Sequence, residues 1–458
     1  MKFPRKFRLI FALLLLLVPA GASAYSVLTH EQLIDLTWHD SIVPLLLSRY
    51  PGLTPAELEQ ARAYAYGGCV IQDIGYYPFG DRRFSNLTHY VRSGDFVVSL
   101  FRNATNANEL AFAVGALSHY IGDYYGHSEA TNLAVPLEFP HLRSKFGDTV
   151  YYAEGPHQHV QTEFAFDINQ IAHHRLAPLG YLRHVGLKVP VRQVGLAFYQ
   201  TYGLADFSGH QLHRVKVSEY RFAVRTFIPR IAYAVTLLKR RHEPTEPDND
   251  ETREIEKEAA ATAALDNWDR YRLTRPPIES YLLAGLFFLL PKVGPFSLLD
   301  VKGPQTATET EYMHSLSQSV AAMRYTLRRF TPVAQQVAPP TGAAVLEKPI
   351  GPRDPLRPLP NLDLDTGRVV SLGGYRLTDA TYMDLLHRIV MNPSQSIPPG
   401  IKLDIQTYFA SPVQPAKKFW TAARWAQVKT DLSSLASMPT SAEPEPFQTY
   451  DSVGDANQ

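Results

Sequence analysis

The chain has 458 residues, a formal net charge of +1 at pH 7, 45% hydrophobic and 19% charged residues, and a single cysteine, Cys69. This length is ample for one large domain or two ordinary ones. The near-zero charge carries no polycation signal and argues against a dedicated nucleic-acid binder. The lone cysteine excludes an internal disulfide and a thiolate-rich zinc site, so any metal must be held by His, Asp, Glu or the backbone.

The chain starts with the basic run KFPRKFR, the apolar run LIFALLLLLVPAG and the small residues ASA before Tyr25. This pattern predicts a signal peptide over residues 1–24, cleaved after Ala24, and a secreted or periplasmic protein. The apolar run is too short for a comfortable membrane span, and no cysteine follows it to carry a lipid. Cleavage removes Lys2, Arg5, Lys6 and Arg8 and no acid, which moves the formal charge from +1 to about −3.

From Tyr25 to about Arg241 the pattern is mostly helical. THEQLIDLTWHDSIVPLLLSRY has apolar residues at helical spacing. TPAELEQARAYAYGG has a Thr N-cap, a Pro at the first helical position and a Gly-Gly stop. NANELAFAVGALSHYIGDYYGH reads as a long apolar helix, and TEFAFDINQIAHH and VSEYRFAVRTFIPRIAYAVTLLKRR as further ones. Strand-like alternation is scarce, so the expected fold is all-α.

Residues 242–331 read as a helical extension. It opens on the acidic stretch HEPTEPDNDETREIEKE, a linker or a loop that leads into a helix through Ala259 to Ala264. SYLLAGLFFLLPKVGPFSLL holds an uncharged run of about ten residues, too short to span a bilayer, and reads as a buried core helix or a surface that touches lipid. ETEYMHSLSQSVAAMRYTLRRF is amphipathic. Eight prolines over 332–360 predict an extended linker. A small helical module is expected over 361–438 and a disordered acidic tail over 439–458.

Eleven of the sixteen histidines lie between His30 and His184, which places the chemistry in that region. His119, Asp123 and His127 stand at successive four-residue steps in LSHYIGDYYGHSEATN. On an α-helix that spacing stacks the three side chains on one face, a ready set of nitrogen and oxygen ligands for zinc. Asp123 sits among apolar residues, where an unpaired carboxylate is costly and a metal neutralises it. His159 and Glu163, in HQHVQTEF, repeat the i,i+4 spacing, although such a pair can equally be solvated. His30, Asp73 and His89 are isolated candidates; a turn carboxylate bonded to nearby backbone is the other reading of Asp73. The simplest reading is a helical protein with a multi-zinc hydrolytic site.

In order, the mature N-terminal aromatic, His30, Asp73, His89, the HxxxDxxxH run and the HxxxE pair resemble the bacterial zinc-dependent phospholipases C. Those enzymes share fold and metal site with the single-strand-specific zinc nucleases. The resemblance covers residues 25–241 and implies an α-helical domain that binds three zinc ions. It implies that the amino group and carbonyl of Tyr25, with His30, bind one ion. Asp73, His89 and His119 would bind a second, with Asp123 as the bridge, and His127, His159 and Glu163 would bind the third. Signal cleavage would then be part of catalysis, because the amine exists only after processing. The chain departs from the family in having Tyr rather than Trp at that terminus and in lacking a β-sandwich lipid-binding domain. The Asp123–His127 interval is also shorter than usual, which would move the third zinc or give its place to another group, His141 and His157 being nearby.

By the same resemblance, a bridged zinc pair would activate water for phosphodiester hydrolysis. Asp73 would orient that water or act as base. Tyr76, Tyr77, Phe79, Tyr124 and Tyr125 are candidates to line a substrate groove, for a choline headgroup or a base, or else to pack the core. Asp95, Glu129 and Asn132 are candidates to support the ligands. Asn86, in NLT, has the form of a glycosylation acceptor but abuts His89.

The leading expectation is a secreted phospholipase C-like hydrolase that acts on phospholipid, with transient contact at a membrane surface. Glu163 favours it, because the nucleases mostly carry Asp at the matching position. A nuclease or nucleotidase of the same superfamily, supported by the Tyr25–His30 spacing, and a non-catalytic zinc-stabilised binding protein are the alternatives.

Overall fold

The computed structural model describes residues 26–76, 80–204, 224, 232, 236, 245–272, 304–331, 359–410 and 419–442. The predicted signal peptide, Tyr25, Tyr77 and Phe79 lie outside the described residues, as do the SYLLAGLFFLL segment and residues 332–358 of the linker. The helix expected over VSEYRFAVRTFIPRIAYAVTLLKRR lies outside them too, apart from Val224, Ala232 and Thr236.

The chain runs through α1 (Val27–Thr37), a π-helical turn (Trp38–Ile42), α2 (Val43–Arg49), α3 (Pro55–Gly68), a 3-10 turn (Gln72–Gly75), α4 (Arg82–Tyr90) and α5 (Ser93–Arg102). It continues with α6 (Ala107–Tyr125), a second π-helical turn (Gly126–Thr131), α7 (Asn132–Glu138), α8 (Pro140–Phe146), α9 (Pro156–Ala172), α10 (Leu179–Val185) and α11 (Val191–Tyr202). Beyond these come α12 (Asp250–Leu265), α13 (Thr306–Phe330), α14 (Arg376–Val390), α15 (Pro399–Ala410) and α16 (Ala422–Ser437). Among the described residues the regular β-structure is one antiparallel ribbon of β1 (Leu362–Asp363) and β2 (Arg368–Val369), which pairs Leu362 with Val369. The fold is all-α, as the periodicity predicts.

The apolar residues of α6 surround its axis, and Leu110, Phe112, Val114, Leu117, Tyr120 and Ile121 are all buried. A helix apolar on every side belongs in the interior, and α1, α3, α5 and α13 pack around it. Helix α3 begins with a capping box, in which the Thr54 side chain accepts from Glu57 N–H and Glu57 accepts from Thr54 N–H. Pro55 stands at its first turn. The Gly67–Gly68 pair at its end does more than stop the helix. A Cβ on Gly68 would stand 2.1 Å from the Phe112 carbonyl oxygen, so glycine is what lets α3 and α6 cross backbone to backbone.

The extension is fastened to the first region by apolar contact and by buried ion pairs. Ile255, Ala259, Tyr312, Met313, Leu316 and Val320 form one cluster with Leu33, Leu36, Ala130, Ala134 and Phe166. Arg324 of α13 pairs with Asp40 and Glu258, and Arg62 of α3 with Asp35 and Asp266.

Leu359 and Pro360, the last residues of the expected linker, are docked on the helical region. Pro360 O accepts from Tyr120 Oη at 2.8 Å, and a Cβ on Gly94 would lie 2.3 Å from the same carbonyl oxygen. Within the expected tail, Pro439 O accepts from Ile397 N–H, and Ser441 N–H donates to Ile397 O, while residues 443–458 lie outside the described residues. Among the described residues no helix is long and apolar enough to cross a membrane.

Candidate metal centre

Six elements bring His and carboxylate groups to one buried place. His30 comes from α1, Asp73 from the 3-10 turn after α3, His89 from the last turn of α4, and His119 and Asp123 from α6. His127 comes from the π-helical turn that prolongs α6, and His159 and Glu163 from α9. These eight side chains are at most 3% exposed. Burying so many ionisable groups among apolar helices is costly unless something pairs them.

Asp123 is the centre of the arrangement. Its Oδ1 lies 3.4 Å from His30 Nε2, while its Oδ2 lies 3.1 Å from His89 Nε2 and 3.0 Å from His119 Nε2. Asp73 Oδ1 is 3.3 Å from His89 Nε2 and 3.9 Å from His119 Nε2. The rings of His30 and His119 stack with centroids 4.3 Å apart. Two sets of atoms, from His30, His119 and Asp123 and from Asp73, His89 and His119, are each close enough to hold one ion.

His127 joins a third set with His159 and Glu163. The α-helix that carries His119 and Asp123 gives way at Gly126, before His127, to the wider π-turn. His119 and Asp123 fall in one set and His127 in another, as the resemblance implies. His141 is exposed and His157 partly exposed; neither belongs to a set, so the short Asp123–His127 interval does not transfer the third place to them.

The outer nitrogens of three of the five ligand-type histidines are held by backbone. His89 Nδ1 donates to Ser85 O at 2.7 Å, His119 Nδ1 to Cys69 O at 3.0 Å and His159 Nε2 to Val150 O at 2.7 Å. Each bond selects the tautomer that leaves the inner nitrogen with a lone pair toward the cluster, as in metal-ligating histidines. The inner atoms of the third set have no hydrogen-bond partner: His127 Nδ1 and Nε2, His159 Nδ1 and Glu163 Oε1. Orphaned buried donors and acceptors in this number require an explanation, and the nitrogen and oxygen donor set fits zinc.

The electrostatics of His127 and His159 agree with that fit. Burial pushes His127 down to about 3 and His159 to about 4, so both are neutral and can ligate at pH 7. Burial also lowers His30, with the neighbouring His119 adding to the effect. Burial acts to raise Asp123, but His119, His30 and His89 outweigh it and hold the carboxyl well below the usual range. Burial opposes charge on His89, yet Asp123 and Asp73 raise it well above its ordinary value. Burial, then the charges of Asp123 and Asp73, raise Glu163 well above the usual carboxylate range. Ligation of a cation there would release a proton.

The remaining candidates are distributed around the site. Tyr76 is buried beside His89, with ring centroids 5.4 Å apart, and its hydroxyl donates to Asn86 Oδ1. Tyr125 is buried and Tyr124 partly exposed, their rings edge to face. Glu129 faces His314 at 3.7 Å, away from the ligand set. Asp95 and Asn132 support a different element, the strap formed by residues 359–367. Asp95 N–H donates to Asn361 Oδ1, and Asn132 Nδ2 donates to Asp365 O at 2.8 Å.

That strap brings a residue absent from the expected set. Asp365 is fully buried, and its Oδ1 lies 3.6 Å from His127 Nε2. The only sequence signal is the alternation of leucine and aspartate in NLDLD, which says nothing about where the segment docks.

An all-α protein with buried, clustered His, Asp and Glu side chains of this composition defines a helical metalloprotein of zinc type. Residues 29–212 match the family model described as zinc dependent phospholipase C. That region is similar to a family of zinc-dependent hydrolases. No curated protein and no solved structure matches the chain.

Proposed function

We propose that the chain is a secreted phosphodiester hydrolase that cleaves phospholipids at the headgroup phosphate and uses three zinc ions. The observation that carries this reading is Asp123, whose two oxygens face His30 on one side and His89 and His119 on the other. A carboxylate so placed suits a bridge between two ions rather than a ligand to one. Bound zinc supplies Lewis acidity, which polarises phosphate oxygens and makes water nucleophilic near neutral pH.

The protein groups have separable tasks. His30, Asp73, His89, His119 and Asp123 would hold the first two ions, with Tyr25 completing the first after cleavage of residues 1–24. His127, His159 and Glu163 hold the third. The backbone carbonyls of Ser85, Cys69 and Val150 keep His89, His119 and His159 in their ligating orientation. Asp73, at the edge of the His89 and His119 pair, is placed to take the proton of the attacking water. Tyr76 stands beside His89 and, with Tyr124 and Tyr125, is offered as the wall of the substrate groove.

The test is elemental analysis of the secreted protein with its N-terminus determined, followed by assays on phosphatidylcholine vesicles and on single-stranded DNA. Three zinc ions per chain, a Tyr25 terminus and release of a phosphorylated headgroup are the expected results. Cleavage of DNA with no action on lipid would replace phospholipid by nucleic acid as substrate. Zinc-free protein from a preparation without chelators would end the hydrolase reading.

A further inference from the structure

We infer that Asp167 is the positioning residue that seats the mature N-terminus on the metal centre, by capping α1 from α9. The inference rests on the zinc reading above, in which Tyr25 completes the first ion.

Helix α9 carries His159, Glu163 and Asp167 at successive four-residue steps. The first two belong to the third ligand set. Asp167, one turn further along, is fully buried and belongs to none of the three sets. It is turned toward another helix.

Its carboxylate closes the first turn of α1. Oδ2 accepts from Leu28 N–H at 3.2 Å, and Oδ1 accepts from Thr29 N–H at 3.1 Å and from Thr29 Oγ1 at 2.7 Å. The Ser26 hydroxyl donates to the same carboxylate. The first amides of a helix have no partner within it, and the residue just before the helix usually supplies the capping side chain. Ser26 stands at that place, but its own side chain does not cap. The cap comes instead from a residue 138 positions beyond Thr29. A buried carboxylate is also well placed at the positive end of a helix dipole.

The cap reaches the metal centre through a single helical turn. Ser26 O accepts from His30 N–H at 3.4 Å, and His30 Nε2 faces Asp123 Oδ1. Tyr25 is one peptide bond from Ser26. A terminal amine and its carbonyl ligate an ion only where the chain is fastened, because a free terminus frays. Asp167 supplies that fastening at Ser26, Leu28 and Thr29. The extension braces it: Thr29 Oγ1, which donates to Asp167, accepts from Tyr312 Oη at 2.9 Å. Tyr312 lies on α13, beyond the matched region, and its ring stacks on that of Phe166 with centroids 4.5 Å apart.

The full mature chain tests this in a double-mutant cycle. One change is Asp167→Asn. The other adds a glycine before Tyr25, which moves the terminal amine one residue away from Ser26. Zinc retention is followed against increasing chelator, and hydrogen exchange at the Leu28 and Thr29 amides. Wild type is expected to hold three ions. Each change alone is expected to release one ion at a chelator concentration about 10–100-fold lower, and the two together no more than the glycine alone. Asp167→Asn is also expected to raise exchange at both amides.

A cap that served only stability would weaken zinc equally with and without the added glycine, so additive effects overturn the inference. Wild-type chelator resistance in Asp167→Asn overturns it too, as does unchanged exchange at Leu28 and Thr29. Should Asp167→Asn fail to fold, Thr29→Val takes its place in the cycle; it removes the hydroxyl donor and keeps the amide. The same non-additive loss, smaller in size, is then expected, and additivity or wild-type resistance again overturns the inference. An added glycine that costs no ion overturns the use of the Tyr25 amine and the inference with it. A wild type that binds no zinc overturns the whole zinc reading.

Discussion

Gly115 of α6 and Gly68 of α3 meet backbone to backbone: a Cβ on Gly115 would stand 2.1 Å from the Ala65 carbonyl oxygen and 2.8 Å from Gly68 Cα. One turn further along α6, the same close crossing lets the Cys69 carbonyl reach His119 Nδ1 at 3.0 Å. The packing of two helices thus sets the tautomer and direction of a ligand-type histidine. Gly115→Ala is expected to force the helices apart. It should cost about 1–3 kcal/mol in urea denaturation and about 10–100-fold in zinc affinity, read by chelator competition. A variant with wild-type values in both would show that the crossing has slack.

Asp123→Asn keeps the shape of the side chain but removes the charge shared by His30, His89 and His119. Its zinc content is expected to fall below that of wild type. Hydrolysis should drop by more than the roughly 10–100-fold typical of losing a partner outside the ligand shell. Elemental analysis and a phosphodiesterase assay on the same preparation check both. Full metal content with full rate would remove Asp123 from the centre of the site.

Glu309 of α13 is fully buried, and burial pushes its carboxyl up to about 8 from an ordinary 4.5, against the opposing effects of Asn169 and Arg175. Between those two values the folded protein keeps a proton that the unfolded chain has lost. Stability contributed by this group is therefore present at low pH and lost as pH rises toward 8. Glu309→Gln retains an acceptor for Gln170 Nε2 and has no charge to bury. The variant is expected to gain on wild type by a few kcal/mol, in order of magnitude, as pH goes from about 5 to about 8. Urea midpoints at the two pH values decide it; a constant difference would mean that Glu309 is ionised in the fold.

Arg62 is buried between Asp35 and Asp266, and so links α1 and α3 to the residue that follows α12. Arg62→Met removes the guanidinium from both carboxylates, leaving Asp35 only the Tyr66 hydroxyl and Asp266 only His39, and is expected to cost about 3–5 kcal/mol. Adding Asp35→Asn should recover part of that loss, because one uncompensated charge disappears. Thermal and urea denaturation of the single and double variants measure the recovery, and no recovery would place the cost in lost packing of the guanidinium.

Some of this was readable in one dimension. The capping box of Thr54 and Glu57, the apolar length of α6 and the i,i+4 steps His119–Asp123 and His159–Glu163 are local patterns. Helix geometry alone converts them into faces and ends. The all-α class, the concentration of histidines before His184 and the exclusion of thiolate ligands followed from composition and spacing in the same way.

Other features depend on contacts between residues distant in the chain. The spacing of His119, Asp123 and His127 predicts one shared face, while the grouping of His127 with His159 and Glu163 depends on how α9 packs beside the π-turn. His30, Asp73 and His89 are single residues in unrelated segments, joined only by the way α1, α3 and α4 pack on α6. Asp365 lies beyond a proline-rich stretch, and the hydrogen bonds of Ser93, Asp95 and Tyr120 carry it to the site. Spacing along a helix is a property of neighbouring residues and is written in their order. The meeting of separate helices around one buried charge depends on which surfaces exclude water together, and that is decided only when the whole chain packs.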